Sequence, residues 1–246
     1  MMPAEKTNAL VLGASGGLAQ ALIAGFLADQ NIETVIAVSS KPAADSVQAE
    51  SGLLWIQTEY AEPAMAEVVE QLKDYSGSIS RVCICHGLLH TDSLWPEKRL
   101  EDIKPEALHE IFQANAVVPA LWLKLLHRVL KAKQPTIVAA LSARVGSISD
   151  NRLGGWYAYR SSKSALNMLL KNIAIEYARR VKNVKLISFH PGTTDTDLSK
   201  PFQAAVPEGK LFTPEFVAER LIGIMDNAVV DGQLSYLDWD NKTIPY

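Results

Sequence analysis

Ala9-Leu10-Val11-Leu12-Gly13-Ala14-Ser15-Gly16-Gly17-Leu18-Ala19 is the stretch on which the fold turns. Ala9–Leu12 is an unbroken apolar run, the pattern of a strand buried on both faces. It ends at Gly13, and the residues from Leu18 to Leu27 read as a helix. A strand that passes through glycines directly into a helix opens a βαβ unit and satisfies the context a dinucleotide-binding turn requires. Gly13 makes the tight turn. Gly17 leaves room for a pyrophosphate at the helix N-terminus, where free N–H groups favour an anion. Glycine-rich turns are common, so the position at the head of a βαβ unit carries this reading.

Downstream, short apolar runs alternate with longer helical ones. Thr34–Val38, Leu53–Ile56, Val82–Cys85, Thr136–Leu141, Val184–Phe189 and Leu234–Leu237 read as strands. Pro63–Lys73, Glu106–Lys131, Trp156–Arg179 and Pro214–Asp226 read as helices. Such alternation predicts an α/β fold, a doubly wound parallel sheet with helices on both faces. No linker, repeat or low-complexity segment interrupts it, so residues 1–246 are expected to form one domain. Two longer irregular stretches, Leu88–Lys104 and Thr193–Thr213, are expected to be functional, the second as a substrate loop, because long loops in compact domains usually are.

The 246 residues suffice for a sizeable core, and a hydrophobic content of 48% opposes disorder. Lys+Arg 24 against Asp+Glu 27 gives a net charge of −3, which offers no electrostatic case for nucleic acid or an anionic membrane. Met1–Asn8 carries Glu5 and Lys6 and no apolar signal core, and no apolar run reaches the ~20 residues that span a bilayer. Cys83 and Cys85 stand two apart on one strand, a geometry unsuited to a disulfide, so a reducing, cytoplasmic setting is expected. The five histidines are scattered, and no pair of them has ligand-like spacing. Cys83, Cys85, His86 and His90 form a local cluster, but cysteines within a buried strand read as core.

Tyr159 and Lys163 are four residues apart at the head of a helical stretch and so share one face. An ammonium beside a phenol favours the phenolate and lowers its pKa from about 10. Tyr157 has no lysine four residues on. Ser142 lies just past the strand Thr136–Leu141, at the C-terminal strand ends where open α/β sheets bind ligands. A hydroxyl there suits a substrate carbonyl oxygen while Tyr159 gives a proton, with Ser147 and Ser149 as rivals in the same loop. Asn115 precedes Pro119 by four residues. The proline has no N–H to give the Asn115 carbonyl, so a kink and a carbonyl free to hold water are expected. The second strand ends in Val38-Ser39-Ser40-Lys41, with no acid for the ribose hydroxyls of NAD. Hydroxyls and a cation suit a 2′-phosphate, which favours NADP(H) and leaves NAD(H) possible. His190-Pro191-Gly192-Thr193-Thr194-Asp195-Thr196 ends the sixth strand abruptly, and its threonines are suited to a nicotinamide carboxamide.

Taken together and in order, these residues resemble the short-chain dehydrogenase/reductases over essentially the whole chain. Ser142 through Arg160, with its long serine-to-tyrosine interval, looks like the branch of C-factor-like and sniffer-like carbonyl reductases. The resemblance implies a Rossmann-type fold and hydride exchange between nicotinamide and a carbonyl or alcohol of a small organic molecule. It implies catalytic roles for Asn115, Ser142, Tyr159 and Lys163, with Lys163 lowering the Tyr159 pKa and Asn115 holding a relay water through its carbonyl. Cofactor contacts are implied at Gly13, Ser15, Gly16, Gly17 and Leu18, at Ser39, Ser40 and Lys41, and at Gly87. Pro191, Gly192, Thr194 and Thr196, with Tyr159 and Lys163, would complete them. A homodimer or homotetramer through the two long helices is implied as well. C-factor-like relatives make a regulatory dinucleotide-binding protein the alternative reading. Two departures stand out: Ala19 replaces the third glycine, and Cys85 replaces an asparagine that ties the central strands together in the family.

Overall fold

Every expected strand is present, and the sheet pairs them in an order that reverses near its middle. The coordinates are a computed structural model that describes residues 6–43 and 50–246; the reading of Met1–Asn8 falls, for residues 1–5, outside them. The central strands are β1 (Thr7–Leu12), β2 (Ile32–Ser39), β3 (Leu53–Gln57), β4 (Ile79–Ile84), β5 (Thr136–Leu141) and β6 (Val184–His190). Helices α1 (Gly17–Ala28), α2 (Glu62–Gln71), α3 (Pro105–Phe112), α4 (Val118–Leu126) and α5 (Tyr157–Arg180) lie between them. After β6 come the two-residue strands β7 (Thr193–Thr194) and β8 (Leu211–Phe212), then α6 (Pro214–Asp226) and β9 (Leu234–Asp238). The main sheet has seven strands in the order β3-β2-β1-β4-β5-β6-β9, with every neighbouring pair parallel.

Strand alternation sorts the buried side chains onto two faces. Leu10, Leu12, Val82, Ile84, Val138 and Ala140 pack with Trp122 and Leu126 of α4 and Leu166 and Leu170 of α5. Ala9, Val11, Ala37, Cys83, Ala139 and Ile187 pack with Leu22 and Phe26 of α1 and Val217 and Leu221 of α6. Apolar residues at every position of a strand are what a sheet covered on both sides demands.

The strand order reverses between β1 and β4. Leu12 pairs with Val38 on one side and Ile84 on the other, so the C-terminal ends of β1, β2 and β4 lie level. Crevices at such reversals are where α/β sheets take ligands.

The structure differs from the expected elements in three places, each with a local cause. The helix expected over Glu106–Lys131 is α3, a π-helical turn Gln113–Val117 and α4, which ends at Leu126. In that turn Val118 N reaches back five residues to Gln113 O, so the missing N–H of Pro119 falls where the ladder has already widened. The helix expected from Trp156 begins at Tyr157, because Trp156 is left-handed at φ 50. The Thr193–Thr213 stretch is not irregular throughout: β7 and β8 pair in parallel and a 3-10 turn spans Lys200–Ala205. Among the described residues no helix is long and apolar enough to cross a membrane.

Candidate active site

The glycine turn is built by steric need. Gly13 has φ +78, and a Cβ on it would sit 3.2 Å from Cys85 C and His86 N. Gly16 precedes α1 with no side-chain cap, and no acid occupies the first helical turn. The first N–H groups of the helix therefore keep their affinity for an anion. A Cβ on Gly17 would lie 3.1 Å from Thr196 Cγ2, so two segments 179 residues apart converge on a cleft that a side chain would fill. Near Thr196 the Thr194 hydroxyl is buried without a partner. An uncapped helix end, a glycine cradle and an orphaned hydroxyl along one cleft fit a dinucleotide. Gly87 borders the other side: a Cβ there would stand 3.8 Å from Lys163 Nζ.

At the end of β2, Ser39 is fully buried and its Oγ accepts from Lys41 N at 3.1 Å. Ser40 N donates to Tyr60 Oη at 3.1 Å, and Trp55 Nε1 donates to Lys41 O at 3.2 Å. These bonds fix the backbone and leave the exposed Ser40 and Lys41 side chains facing solvent. Lys41 has no ion pair among the described residues.

Tyr159 and Lys163 lie on the inner face of α5. Lys163 Nζ is 5.8 Å from the Tyr159 ring centroid and donates to Leu141 O at 2.8 Å. Burial pushes the Tyr159 phenol above its ordinary value, with a smaller contribution from Tyr236, and pulls Lys163 down to about 7. Burial thus favours the neutral form of both groups, and for Tyr159 this runs opposite to the lowering expected from Lys163. Tyr159 stays protonated at neutral pH, which suits a proton donor.

Asn115 is wholly buried in the π-helical turn. Its Oδ1 accepts from Leu88 N at 2.6 Å, and its Nδ2 donates to Leu88 O at 2.9 Å and Ser162 Oγ at 3.0 Å. The side chain thus ties the loop after β4 to α5, a role beyond the carbonyl considered from the sequence.

Ser142 requires a correction. Its Oγ is buried and donates to Asn167 Oδ1 at 2.8 Å, the same oxygen that receives Ser188 Oγ at 2.6 Å. The hydrophobic cluster around Tyr159 contains Ala143 and Leu89, with Val145, Trp156, Leu198 and Phe202 packed on it. Val138, Ala140 and Ser142 share the face that packs on α5, where Ser142 meets Asn167; β5 ends at Leu141, and Ala143, just before the 3-10 turn Arg144–Gly146, stands in the Tyr159 cluster instead. Of the rival hydroxyls, Ser147 Oγ is held by Asp150 N at 3.1 Å.

Some of the site has no signal in the chain's local patterns. Buried Glu97 accepts from Trp156 N with its backbone oxygen at 2.6 Å and from Ala158 N with its carboxylate at 3.2 Å. It so anchors the start of α5 after three left-handed residues, Gly154, Gly155 and Trp156. Nothing near Glu97 in sequence marks it for this. Asn167 was findable, because it stands four residues beyond Lys163 on the same helical face. An aromatic group forms the outer wall. Trp156 lies 5.1 Å from Phe202 and 6.2 Å from Tyr159 between ring centroids, and His90 stacks on Trp95 at 5.3 Å.

Sheet order, glycine cradle and Tyr-Lys helix define a dinucleotide-type α/β domain with a titratable pair at the mouth of the sheet. The chain belongs to the short chain dehydrogenase family, whose family model matches residues 7–207. It is 23% identical over 241 residues to the benzil reductase ((S)-benzoin forming) of Bacillus cereus, covering 88% of this chain and 93% of that one. Matches to two other curated relatives span only about half of their length, 56% and 44%. The carbonyl reductase Sniffer of D. melanogaster superposes with a TM-score of 0.83 at 19% identity, over 98% of this chain and 100% of that one. The NADPH-bound carbonyl reductase from chicken fatty liver does so with a TM-score of 0.84 at 19% identity and the same coverage.

Proposed function

We propose that this protein is an NADP(H)-dependent reductase of apolar, aromatic carbonyl compounds, with Tyr159 as the proton donor. The observation that carries the reading is the Tyr159–Lys163 pair under an aromatic wall, at the same C-terminal strand ends as the uncapped glycine turn. When bound, the nicotinamide would supply hydride to the carbonyl carbon.

The chain's own residues would do the rest. Gly13, Ser15, Gly16, Gly17 and Leu18 would receive the pyrophosphate. Ser39 would shape the ribose end, and Ser40 and Lys41 would take the 2′-phosphate. Pro191, Gly192, Thr194 and Thr196 would hold the carboxamide end, with the unpartnered Thr194 hydroxyl as a donor. Gly87 leaves space in front of Lys163, which would hold the nicotinamide ribose and set the field at Tyr159. Asn115 would keep the loop at Leu88 in register. The protonated phenol suits carbonyl reduction at neutral pH. Trp156, Phe202, Leu89 and Leu198 would exclude water and bind a flat apolar substrate. The benzil reductase relative supports an aromatic carbonyl substrate. Exposed Val117, Met168 and Ile175 on and beside the long helices suit a homodimer or homotetramer.

The test is NADPH oxidation with aldehydes, ketones and quinones, alongside Tyr159→Phe. Wild type should turn over aromatic carbonyls. The variant should lose at least about a hundredfold in kcat, the scale of a general acid, and still gain melting temperature with NADPH. NADPH binding without turnover of any carbonyl would leave a dinucleotide-binding module in place of the reductase.

A further inference from the structure

We propose that position 143, and not Ser142, faces the reacting carbonyl, so that Tyr159 is the one side-chain hydroxyl available to its oxygen and the enzyme acts on carbonyls that are already electrophilic. This rests on the reductase reading above. Three observations lead to it.

The first is that Ser142 is committed. Its hydroxyl donates at 2.8 Å to Asn167 Oδ1, and that oxygen also accepts from Ser188 at 2.6 Å. Both serines and Asn167 are buried, on the side of the sheet where α5 packs. A hydroxyl has one proton to donate, and here it points into the fold. The second is that Ala143 takes the place beside the phenol. It shares a cluster with Tyr159 and Leu89, walled by Val145, Trp156, Leu198 and Phe202. The backbone at 143 is itself pinned, since Tyr236 Oη donates to Ala143 O at 2.6 Å. The third is that no neighbouring hydroxyl stands in. Ser147 is buried in the 147–150 turn, where its Oγ accepts from Asp150 N and lies 3.5 Å from Ser149 Oγ; the buried Ser162 Oγ spends its proton on Tyr159 O and accepts from Asn115, and Tyr236 Oη spends its proton on Ala143 O.

In the reduction, hydride forms the new C–H bond and the carbonyl π pair moves to oxygen. That oxygen takes the Tyr159 proton, and solvent returns a proton to the phenolate. Charge builds on the oxygen before the proton arrives. Each preorganised donor aimed at such an oxygen is worth about 10²–10³ in rate. With one donor where two would serve, the substrate's own electron withdrawal must carry more of the stabilisation. 1,2-Diketones, quinones and aromatic aldehydes with electron-withdrawing ring substituents meet this need and suit the aromatic wall.

The experiment compares wild type, Ala143→Ser and Ser142→Ala with NADPH and a series of para-substituted benzaldehydes. NADPH binding is checked for each by thermal shift. Wild type should show kcat rising steeply with electron withdrawal. Ala143→Ser should gain about tenfold on the electron-rich members, short of a fully optimised donor, and flatten the slope. Ser142→Ala should melt lower, with kcat within about twofold of wild type, because a structural hydrogen bond is lost and no reacting one. A hundredfold loss of kcat in Ser142→Ala with NADPH binding intact would overturn the proposal. So would an unchanged slope in a folded, NADPH-binding Ala143→Ser. Turnover gained by Ala143→Ser where wild type has none would support it. No turnover by any variant despite NADPH binding would end the reductase reading and this inference with it.

Discussion

Replacing Asn115 by alanine should lower stability by about 3 kcal/mol through a loop 27 residues away in sequence. The figure follows from the three hydrogen bonds of the side chain, to Leu88 N, Leu88 O and Ser162 Oγ, at a net of about 1 kcal/mol each. Leu88 is half-buried, so its stranded groups regain some water when the loop loosens; a drier site would make the loss larger. For a chain of this size each kcal/mol moves the melting temperature by about 2–4 °C, so a fall of about 6–12 °C is expected. Calorimetry gives that number, and hydrogen exchange at the Leu88 amide locates it: exchange there should accelerate ahead of the sheet. A melting temperature within about 2 °C of wild type, or an unchanged Leu88 amide, would refute the tether. The same variant separates side chain from main chain. Alanine keeps the carbonyl at position 115, so a catalytic role confined to that carbonyl predicts a less stable enzyme with kcat preserved. A kcat that falls along with Leu88 protection assigns the effect to the loop.

Gly192→Ala should cost about 2–5 kcal/mol, from about 1–2 for a left-handed alanine and the rest from overpacking. Gly192 has φ +74, and its Cβ would come within 2.7 Å of Phe212 Cε2 and 3.1 Å of Trp239 Cδ1; an unchanged urea midpoint would contradict this. Lys163 gives a pH signature. Burial holds it at about 7, below its unfolded value, so between about pH 7 and 10 the unfolded chain binds more protons and stability rises with pH. The slope is at most about 1.4 kcal/mol per pH unit. Lys163→Met should lose that rise between pH 7.5 and 9 in cofactor-free melts, and parallel curves for the two proteins would show that Lys163 is not held neutral.

The fold was legible because its signals are local. The apolar runs, the Gly13–Gly17 turn and the alternation of strand and helix follow from side-chain period and glycine placement, and the parallel sheet follows from them. The Tyr159–Lys163 pair was legible for the same reason, as a helical spacing. Ser142 was misjudged because being near the mouth of the sheet does not settle direction. A shift of one residue beyond the end of β5 decides whether a hydroxyl meets Tyr159 or Asn167, and Asn167 lies 25 residues downstream. The pKa directions were missed because charge proximity can be read from spacing, whereas burial needs the tertiary packing of Leu89, Trp156 and Phe202. The Glu97 anchor joins segments about 60 residues apart, and no short-range pattern encodes it.

The substitution at Cys85 shows how the structure absorbs a lost polar group. The Cys85 thiol is raised to about 12 by burial, so it remains neutral. The strand tie is carried by the backbone, where Cys85 N donates to Leu12 O at 2.7 Å. The polar link moves one residue along. His86 Nε2 accepts from Trp122 Nε1 at 3.0 Å, which places the ring proton on Nδ1, facing Gly13. Burial, with Lys163 nearby, holds His86 down to about 3, so the ring is neutral and remains an acceptor. Its other contact is edge-on to Tyr60 at 4.4 Å, and Tyr60 Oη accepts from Ser40 N. Trp122, His86, Tyr60 and Ser40 therefore run as one connected path from α4 past the glycine turn to the end of β2. Where the resemblance implies a single asparagine joining two strands, this chain joins a core helix to the residues proposed to select the cofactor.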